Sequence, residues 1–391
     1  MKAAVLAGGQ GTRVRPITET VPKPMIPLIN KPVMEFLIDV LRQHGFDQII
    51  ITTSYLASEI ENYFREGTRF GVEIGYSFEG YYSDGTMVPE GLGSAGGLKQ
   101  VQDFSGFFDE TFLVLCADAV IDLDLTHALE LHRRNGAIAT VVLQHVPREA
   151  VVKYGVVEMT PGGRILRFQE KPSPDEAVST CANTGIYIFE PEVLQYVPSG
   201  CYVDIGHDLL PRLAARELPF YGICLPFSWM DIGCTADYWQ ATQRILRGEM
   251  RIGMPGRELR PGIRGGINLD VDLAHTDIEG PIYLGSGTRI ERGAVVKGPT
   301  VVGRNCVIES AARIEACVIG DYTRISGFAD LRERIVSGRF CVDRSGGQVD
   351  LAGGGYTFLV DDARERRAWT PDQELLIEFL RSNGPRELTA S

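Results

Sequence analysis

Short apolar runs alternate with stretches of helical periodicity over the first 250 residues of the chain. Five of these runs are rich in β-branched and aromatic residues and have the length of buried strands. They are residues 49–53, 74–78, 112–116, 137–144 and 185–189. Helical spacing of apolar positions is found between them, at residues 33–43, 58–64 and 125–134. The alternation predicts an α/β fold with a Rossmann-like, mostly parallel sheet and helices on both faces.

A different period governs the chain after residue 255. Apolar residues recur every six positions, and after one slip of phase the pattern continues. These residues are Leu284, Ile290, Val296, Val302, Ile308 and Ile314, followed by Ile319, Ile325 and Leu331. A period of six fits neither a helix nor an ordinary strand, and it predicts a left-handed hexapeptide-repeat β-helix. We therefore expect domains at residues 1–250 and 255–340, followed by a C-terminal extension at 341–391.

The sequence predicts one element of secondary structure in the C-terminal extension. Thr370-Pro-Asp-Gln373 is a capping box, which opens a helix. Asn383-Gly384 is a typical signal for the end of a helix. We expect an amphipathic helix that begins at Pro371 and runs through Leu380.

Composition and charge narrow the class of protein. The chain has 391 residues, of which 44% are hydrophobic, so it can bury a substantial core. Its net charge of −12 argues against nonspecific binding of nucleic acid or of anionic membranes. No apolar run reaches the roughly 18 residues of a membrane span, and the predicted strand at the start leaves no signal peptide. Eight cysteines without CxxC spacing and six histidines without metal-ligand spacing predict reduced thiols, no zinc site and a cytoplasmic protein.

The candidate chemistry begins where the first apolar run, residues 3–7, gives way to Gly8-Gly-Gln-Gly-Thr-Arg13. Glycines let backbone N–H groups approach an anion closely, and Arg13 adds a planar, permanent cation. Lys23, held between two prolines, adds another positive charge. The spacing matches neither the dinucleotide fingerprint nor the ATPase P-loop. We interpret the segment as a site for a polyphosphate, the alternative being a tight turn between a strand and a helix.

Two aspartates are candidate metal ligands. Asp118 follows the apolar run at 112–116, and α/β sheets bind ligands at the carboxyl ends of their strands. Asp231 lies in a separate segment, Ser228-Trp-Met-Asp-Ile-Gly233. Mg²⁺ takes one or two carboxylates and completes its octahedron with phosphate oxygens and water. The alternative for Asp118 is a helix cap or a turn.

The residues from Gly8 to Thr18, followed by Pro22-Lys-Pro-Met25, resemble the signature of the sugar-nucleotide pyrophosphorylases. Val14 and Ile17 replace the leucine that is usual in that signature. Further segments are similar to the same family, at residues 91–97, 154–157, 168–172 and 183–189. The segment Ser228–Gly233 also resembles a motif of the family. It departs from the usual pattern after Gly233, which is followed by Cys-Thr rather than Thr-Pro. The resemblance extends over residues 1 to 245 and implies a sugar-1-phosphate nucleotidyltransferase.

The resemblance also implies a role for each matching residue. Catalysis is expected from Arg13, Lys23 and Asp118. Nucleotide binding is expected from Ala7, Gly8, Gly9, Gly11, Thr12, Gly91, Gly93, Ser94 and Gly96. Binding of the sugar phosphate is expected from Gly155, Glu170, Lys171 and Asn183. The metal, Mg²⁺, is expected on Asp118 and Asp231.

The implied reaction converts an NTP and a sugar 1-phosphate into an NDP-sugar and pyrophosphate. Ser94 and the insertion-like stretch at 80–89 favour UTP and glucose 1-phosphate, while GTP and mannose 1-phosphate remain open. The alternative of another class is a non-catalytic, sugar-nucleotide-sensing regulatory subunit. Such subunits usually lose the arginine, lysine or aspartate of the site, and this chain keeps them all.

The β-helix is expected to have a structural role and to form oligomers. Acyltransferase chemistry in such a coil usually needs a histidine, and residues 284–331 contain none. A short coil leaves apolar stacking ends that need capping or partners. We therefore expect a homo-oligomer, a dimer or a tetramer, formed through the β-helix.

Overall fold

The computed structural model describes residues 1–366 and 371–383. The chain divides into two compact units, which we describe separately. The first unit contains Met1–Thr12, Thr18–Ile26 and Pro32–Asp231. The second contains Arg13–Ile17, Pro27–Lys31 and the described residues from Ile232 onward.

The strands up to Asp231 are β1 (Lys2–Ala7), β2 (Pro27–Leu28), β3 (Lys31–Pro32), β4 (Gln48–Thr53), β5 (Glu73–Phe78), β6 (Gly80–Ser83), β7 (Thr86–Pro89), β8 (Phe112–Cys116), β9 (Ala119–Ile121), β10 (Ala139–His145), β11 (Val156–Met159), β12 (Ile165–Gln169), β13 (Cys181–Phe189), β14 (Phe220–Cys224) and β15 (Trp229–Asp231). The helices of this part are α1 (Val33–Gln43), α2 (Ala57–Phe64), α3 (Gly93–Ser105), α4 (Leu125–Arg134) and α5 (Leu210–Ala215). Each strand and helix predicted from the apolar pattern is present within a few residues of its expected bounds.

A nine-stranded sheet forms the centre of the first unit. Its order is β12-β11-β13-β8-β1-β4-β5, with β10 beside β13 and β14 beside β10. Strands β8, β1, β4 and β5 are parallel to one another, and β10 is parallel to β14. Strand β13 is antiparallel to β8, β10 and β11, and β12 is antiparallel to β11. The mostly parallel, Rossmann-like sheet predicted from the sequence is confirmed, with β12 and β13 running against the rest.

Helices cover both faces of this sheet, as predicted. Successive residues of β8 alternate between two apolar cores, with Leu113 in one and Val114 in the other. The first core contains residues of α1, α2 and α4, and the second contains residues of α3 and α5. Because the central strands are buried on both sides, their sequences are continuous apolar runs rather than alternating ones.

Two segments of the first unit have structure that the sequence did not predict. The insertion-like stretch forms a hairpin of β6 and β7. The glycine-rich segment at 91–97 is helical from Gly93 onward, where α3 begins. Gly93 has a φ of +76°, which is the left-handed region that favours glycine.

The strands of the second unit from Arg257 onward are β16 (Arg257–Arg260), β17 (Ile263–Gly265), β18 (Asp270–Val271), β19 (Asp277–Glu279), β20 (Ile282–Leu284), β21 (Arg289–Ile290), β22 (Val295–Lys297), β23 (Thr300–Val302), β24 (Val307–Ile308), β25 (Arg313–Glu315), β26 (Val318–Ile319), β27 (Thr323–Ile325), β28 (Asp330–Arg332), β29 (Arg334–Ser337), β30 (Phe340–Asp343), β31 (Gln348–Asp350) and β32 (Val360–Asp362). Its helices are α6 (Thr235–Leu246) and α7 (Pro371–Asn383). Thr370 and Gly384, which the sequence analysis used as signals for the ends of α7, lie outside the described residues.

Short parallel strands form three sheets, as a hexapeptide β-helix requires. One sheet contains β17-β20-β23-β26-β29, the next β18-β21-β24-β27, and the third β19-β22-β25-β28. The residues that recur every six positions fall on the three sheets in turn, so that Ile290, Ile308 and Ile325 are stacked in register. The slip of phase appears in the register, because Ile308 pairs with Ile325, seventeen positions later, instead of eighteen.

Strands of the same chain pair with the outer coils of this β-helix. Strand β16 is antiparallel to β17, while β30 and β32 are antiparallel to β29 and β27. Leu351 and Val360 are buried in the core of the coil. These strands cover only part of the stacking ends, because the third sheet still ends at β19 and β28, and the expected homo-oligomer stays a prediction. Each of these strands has only three or four residues, which is too few to give a period in the sequence.

Helix α6 belongs to the second unit. The indole Nε1 of Trp239 donates a hydrogen bond of 3.0 Å to the carbonyl oxygen of Ala316 in the β-helix. The Tyr238 hydroxyl donates to the carbonyl oxygen of Pro27 in the same unit. The predicted domain boundaries at residues 250, 255 and 341 would separate parts of the chain that fold independently. These boundaries stay predictions.

Candidate active site

A cavity of about 250 Å³ opens in the first unit, at the carboxyl ends of β1 and β8. Side chains from β9, β13 and β15 also line it. The predicted site residues in its wall are Ser94, Asp118, Gly155, Glu170, Lys171, Asn183 and Asp231. Residues from segments far apart in sequence thus meet where parallel strands end, as the position of Asp118 led us to expect.

Lys23 joins the two candidate metal ligands. Its Nζ donates a hydrogen bond to Oδ2 of Asp118 and lies 3.8 Å from Oδ1 of Asp231. Strands β9 and β15 bring the aspartates together, because Asp231 is paired with Ala119, the residue after Asp118. Only 11% of the Lys23 side chain is exposed, so its charge depends on these carboxylates for compensation.

The same two carboxylates fit a divalent metal. Both reach one cationic centre, and carboxylate oxygens are the donors that Mg²⁺ prefers. Both side chains are partly exposed, so phosphate oxygens and water have access to them. The donor set therefore suits a metal that is shared between the protein and a polyphosphate.

The first glycine loop is packed against Lys23. Gly11 has a φ of +63°, and a Cβ at this position would lie 3.0 Å from Cβ of Lys23. The Thr18 hydroxyl donates to the carbonyl oxygen of Gly11 at 2.8 Å. A Cβ at Gly9 would meet nothing within 4 Å, so this part of the loop has an open side. The loop thus combines a fixed end at Lys23 with an accessible backbone.

The cavity lining includes few of the predicted nucleotide-binding residues. Ser94 is in the cavity wall, whereas the others are not among its lining residues. The others are Ala7, Gly8, Gly9, Gly11, Thr12, Gly91, Gly93 and Gly96. Arg13 lies in a 3₁₀ turn, Thr12–Val14, and belongs to the second unit. The nucleotide-binding roles and the catalytic role of Arg13 stay predictions.

The glycines of α3 make room for a neighbouring segment of backbone. A Cβ at Gly93 would lie 2.5 Å from the carbonyl oxygen of Val203, and one at Gly96 would lie 2.7 Å from that of Cys201. The backbone N–H of Gly96 donates to Val203 at 3.0 Å. The resemblance implies that these glycines bind the nucleotide, whose flat base could lie on a backbone without side chains. The structure gives them a packing role, and a base at this place stays a prediction.

Ser94 and Asp204 connect α3 to the cavity wall. The Ser94 hydroxyl donates to Oδ2 of Asp204 at 2.8 Å and accepts the N–H of Ile205 at 2.7 Å. The other carboxylate oxygen of Asp204 accepts the N–H of His207 and caps a π-helical turn, Ile205–Leu209. Sequence reasoning missed Asp204, because its position opposite Ser94 depends on tertiary packing.

Glu79, which belongs to none of the sequence motifs, lies behind the glycine loop. Glu79 is 5% exposed, and its Oε2 accepts the N–H of Leu92 at 3.1 Å. Its Oε1 would lie 3.5 Å from a Cβ at Gly8 and 2.6 Å from one at Gly97. Burial raises the pKa of the Glu79 carboxyl above its ordinary value. Glu79 directly follows β5, so the argument from strand ends that identified Asp118 applies to it as well.

The predicted sugar-phosphate residues form a second polar group in the cavity. A Cβ at Gly155 would lie 2.8 Å from Oε2 of Glu170, and Nζ of Lys171 lies 2.9 Å from Oε1. Asn183 donates to the Tyr187 hydroxyl at 2.8 Å and accepts the N–H of Gly185 at 2.9 Å. The amide of Asn183 is therefore held in one orientation.

An aromatic pair completes the wall. The rings of Tyr154 and Trp229 have centroids 4.9 Å apart, and both residues line the cavity. Sequence reasoning did not select them, although Tyr154 precedes Gly155 and Trp229 lies two residues before Asp231. Carboxylates, ammonium groups, an oriented amide and aromatic surfaces together suit a ligand that carries both phosphate and sugar.

Comparison with known proteins identifies the class of protein. A family model described as nucleotidyl transferase matches residues 2–248. The chain therefore belongs to this family, and it is a nucleotidyltransferase. NTP and sugar 1-phosphate fit as substrates of the family, whose members generally use a divalent metal.

Individual relatives carry more specific names. The chain is 54% identical over 365 residues to the UTP–glucose-1-phosphate uridylyltransferase of Synechocystis sp., with 93% of this chain and 94% of that protein covered. It is 30% identical to the mannose-1-phosphate guanylyltransferase of Mycobacterium tuberculosis, with 83% and 80% covered. A solved UDP-glucose pyrophosphorylase in complex with UDP-glucose has a TM-score of 0.53 at 23% identity. It covers 63% of this chain and 98% of that chain, and at this identity it supports the fold alone.

Membrane association through a spanning helix finds no support in the described part of the chain. Over residues 1–366 and 371–383, no helix combines the length and the apolar character needed to cross a bilayer.

The buried carboxyl of Glu79 gives a prediction for stability. Its pKa is raised in the folded state, so ionisation costs stability as pH rises above the ordinary value of 4.5. Glu79→Gln removes this cost and keeps an acceptor for Leu92. Relative to the wild type, the free energy of unfolding of the variant should therefore increase between pH 4 and pH 7.5. Denaturant unfolding at the two pH values measures the difference.

The exposed Glu90, at the end of the neighbouring hairpin, provides the matched control. Glu90→Gln should show no such change with pH. A Glu79→Gln variant whose stability relative to the wild type falls between pH 4 and pH 7.5 would show that the ionised carboxylate is favoured at this position.

Proposed function

We propose that this protein makes UDP-glucose and pyrophosphate from UTP and glucose 1-phosphate. The observation that carries the choice of substrates is the 54% identity to the Synechocystis enzyme, which covers 93% of this chain. GTP and mannose 1-phosphate are the second candidate pair, supported by relatives that are 30–32% identical. A non-catalytic regulatory role is disfavoured, because Lys23 and both aspartates are present and in contact.

The proposed reaction is a direct transfer of a nucleotidyl group. A phosphate oxygen of glucose 1-phosphate attacks the α-phosphorus of UTP in line. The bond between the α-phosphorus and its bridging oxygen breaks, and that oxygen leaves with pyrophosphate. Such transfers depend on positioning and on the neutralisation of charge rather than on covalent intermediates.

The charged residues have distinct roles in this proposal. Asp118 and Asp231 hold Mg²⁺, which neutralises phosphate charge when it is bound. Lys23 and Arg13 stabilise the negative charge of the triphosphate and of the leaving pyrophosphate. Lys171, whose side chain is 59% exposed, reaches the phosphate of the sugar and orients the attacking oxygen.

The sugar is bound by the second polar group of the cavity. Glu170 accepts hydrogen bonds from sugar hydroxyls, and the oriented amide of Asn183 recognises a further hydroxyl. The absence of a side chain at Gly155 leaves space for Glu170, because a Cβ at Gly155 would lie 2.8 Å from Oε2 of Glu170. The Tyr154 and Trp229 rings offer flat surfaces to the apolar side of the sugar.

We also infer a cytoplasmic location and an oligomeric assembly. The eight cysteines have no CxxC spacing, a pattern that favours the reduced thiols of reducing compartments. On α7 the apolar side chains of Leu375 and Phe379 are 66% and 56% exposed. Exposed apolar surface of this kind favours contact between copies. We therefore propose that a homo-oligomer forms through the second unit, with α7 in the contact.

The choice of substrates is tested by measuring pyrophosphate release. Four NTPs are each combined with glucose 1-phosphate, mannose 1-phosphate and galactose 1-phosphate. We expect the highest kcat/KM for UTP with glucose 1-phosphate, at least about tenfold above every other pair, equivalent to about 1.4 kcal/mol in the transition state. A higher value for GTP with mannose 1-phosphate would reverse the assignment.

The proposed assembly is tested by light scattering at micromolar concentration. The full chain should be a dimer or a tetramer, and the variant Leu375→Ser with Phe379→Ser should be a monomer. The matched control, Glu374→Ser, should keep the wild-type mass. A monomeric full chain refutes the oligomer, and an oligomeric double variant places the contact elsewhere.

A further inference from the structure

Two cysteines and a histidine meet on three neighbouring strands of the main sheet. His145 ends β10, Cys181 begins β13 and Cys224 ends β14. One ligand atom from each residue lies within 4.8 Å of the other two. Sγ of Cys181 is 3.7 Å from Nδ1 and 3.8 Å from Nε2 of His145. We call these three residues the His-Cys-Cys cluster.

The register of the sheet explains this meeting. His145 is paired with Cys181 across β10 and β13. Cys224 is paired with Leu143, which lies two positions before His145 and therefore on the same face of the sheet. The three side chains thus share one face at the ends of their strands. The sequence separations, 36 and 43 residues, have no metal-ligand signature, so the sequence predicts no zinc site.

The donor atoms and their separations suit a thiophilic metal. Zn²⁺ binds cysteine sulfur and histidine nitrogen at about 2.3 and 2.0 Å in tetrahedral geometry, which places ligand atoms roughly 3.5–3.8 Å apart. The distances from Cys181 to His145 already lie in this range. A third ligand within 4.8 Å needs only a small adjustment.

A disulfide is a poor alternative for these cysteines. Strand β10 lies between β13 and β14, and Cys181 and Cys224 are opposite different residues of β10, so their Cα atoms are more than two strand spacings, or about 9.5 Å, apart. Disulfides need Cα atoms within about 7 Å. An ion can bridge the larger gap, because it adds two metal–sulfur bonds between the thiols.

We propose that the His-Cys-Cys cluster binds a thiophilic divalent cation of the Zn²⁺ class, with three protein ligands and a fourth position open to water. His145 and Cys224 are exposed, which gives an ion access from solvent, while Cys181 is buried and fixes the inner side of the site. The site differs from the carboxylate pair Asp118 and Asp231, which offers only hard oxygen donors. A bound ion would join β14 to β10 and β13.

Co²⁺ is the spectroscopic probe for this proposal. Thiolates bound to Co²⁺ give an intense charge-transfer absorption that carboxylates do not give, so the two sites are distinguishable in one protein. The full chain, reduced and free of metal, is titrated with Co²⁺ in the presence of excess Mg²⁺. We expect the absorption to saturate at one equivalent and to disappear when Zn²⁺ is added.

Variants assign the signal to its ligands. Cys224→Ser, at an exposed position, should remove the thiolate of β14 and weaken binding by at least about tenfold, and Cys181→Ser and His145→Ala should do the same. Cys201→Ser, which alters an exposed cysteine outside the cluster, is the matched control and should keep the full signal.

Thermal unfolding gives a second measurement that does not depend on catalysis. Zn²⁺ should raise the Tm of the wild type and of Cys201→Ser, because it binds the folded state, but not that of Cys224→Ser. No charge-transfer absorption in the wild type would overturn the proposal. An undiminished absorption in Cys224→Ser would overturn it equally.

Discussion

The ion pairs of Lys23 with Asp118 and Asp231 are the constraint on which the candidate site depends. Two carboxylates this close repel each other unless a cation lies between them, and a largely buried ammonium is costly without carboxylates. The three charges therefore hold one another in place, although they come from distant parts of the sequence. Gly11 is packed against Lys23, so the position of the glycine loop follows from the same contact. A bound polyphosphate adds further negative charge to the two carboxylates. A divalent cation is then needed to balance that charge.

Much of the architecture was predictable because buried positions give apolar residues a recognisable pattern along the sequence. The central strands are buried on both faces and appear as continuous apolar runs, and the β-helix stacks Ile290, Ile308 and Ile325 on one face. Asp118 was predictable as a ligand-binding residue because it follows a buried strand, and Glu170 and Asn183 were predictable from the family resemblance; all three line the cavity. These features depend on local patterns or on motifs, and both can be recognised in the amino-acid sequence alone.

What the sequence did not predict depends on which segments become neighbours. Glu79 lies behind the glycine loop, and Asp204 bonds Ser94, through tertiary contacts that no spacing encodes. The His-Cys-Cys cluster needs the order of β13, β10 and β14, which crosses the sequence order of the strands. Strands β30 to β32 are too short to give a period, so their pairing with the outer strands of the coil appeared only in the structure.

The central claim is that Asp118 and Asp231 act on one shared centre with Lys23. A double-mutant cycle on kcat/KM tests it most directly, using Asp118→Asn, Asp231→Asn and the combined variant at saturating Mg²⁺. Each single variant should lower kcat/KM by at least about a hundredfold, and the combined variant should be little worse than either, since residues that act as a unit are strongly non-additive. A combined loss equal to the product of the two single losses would show that the aspartates act independently and would contradict the account.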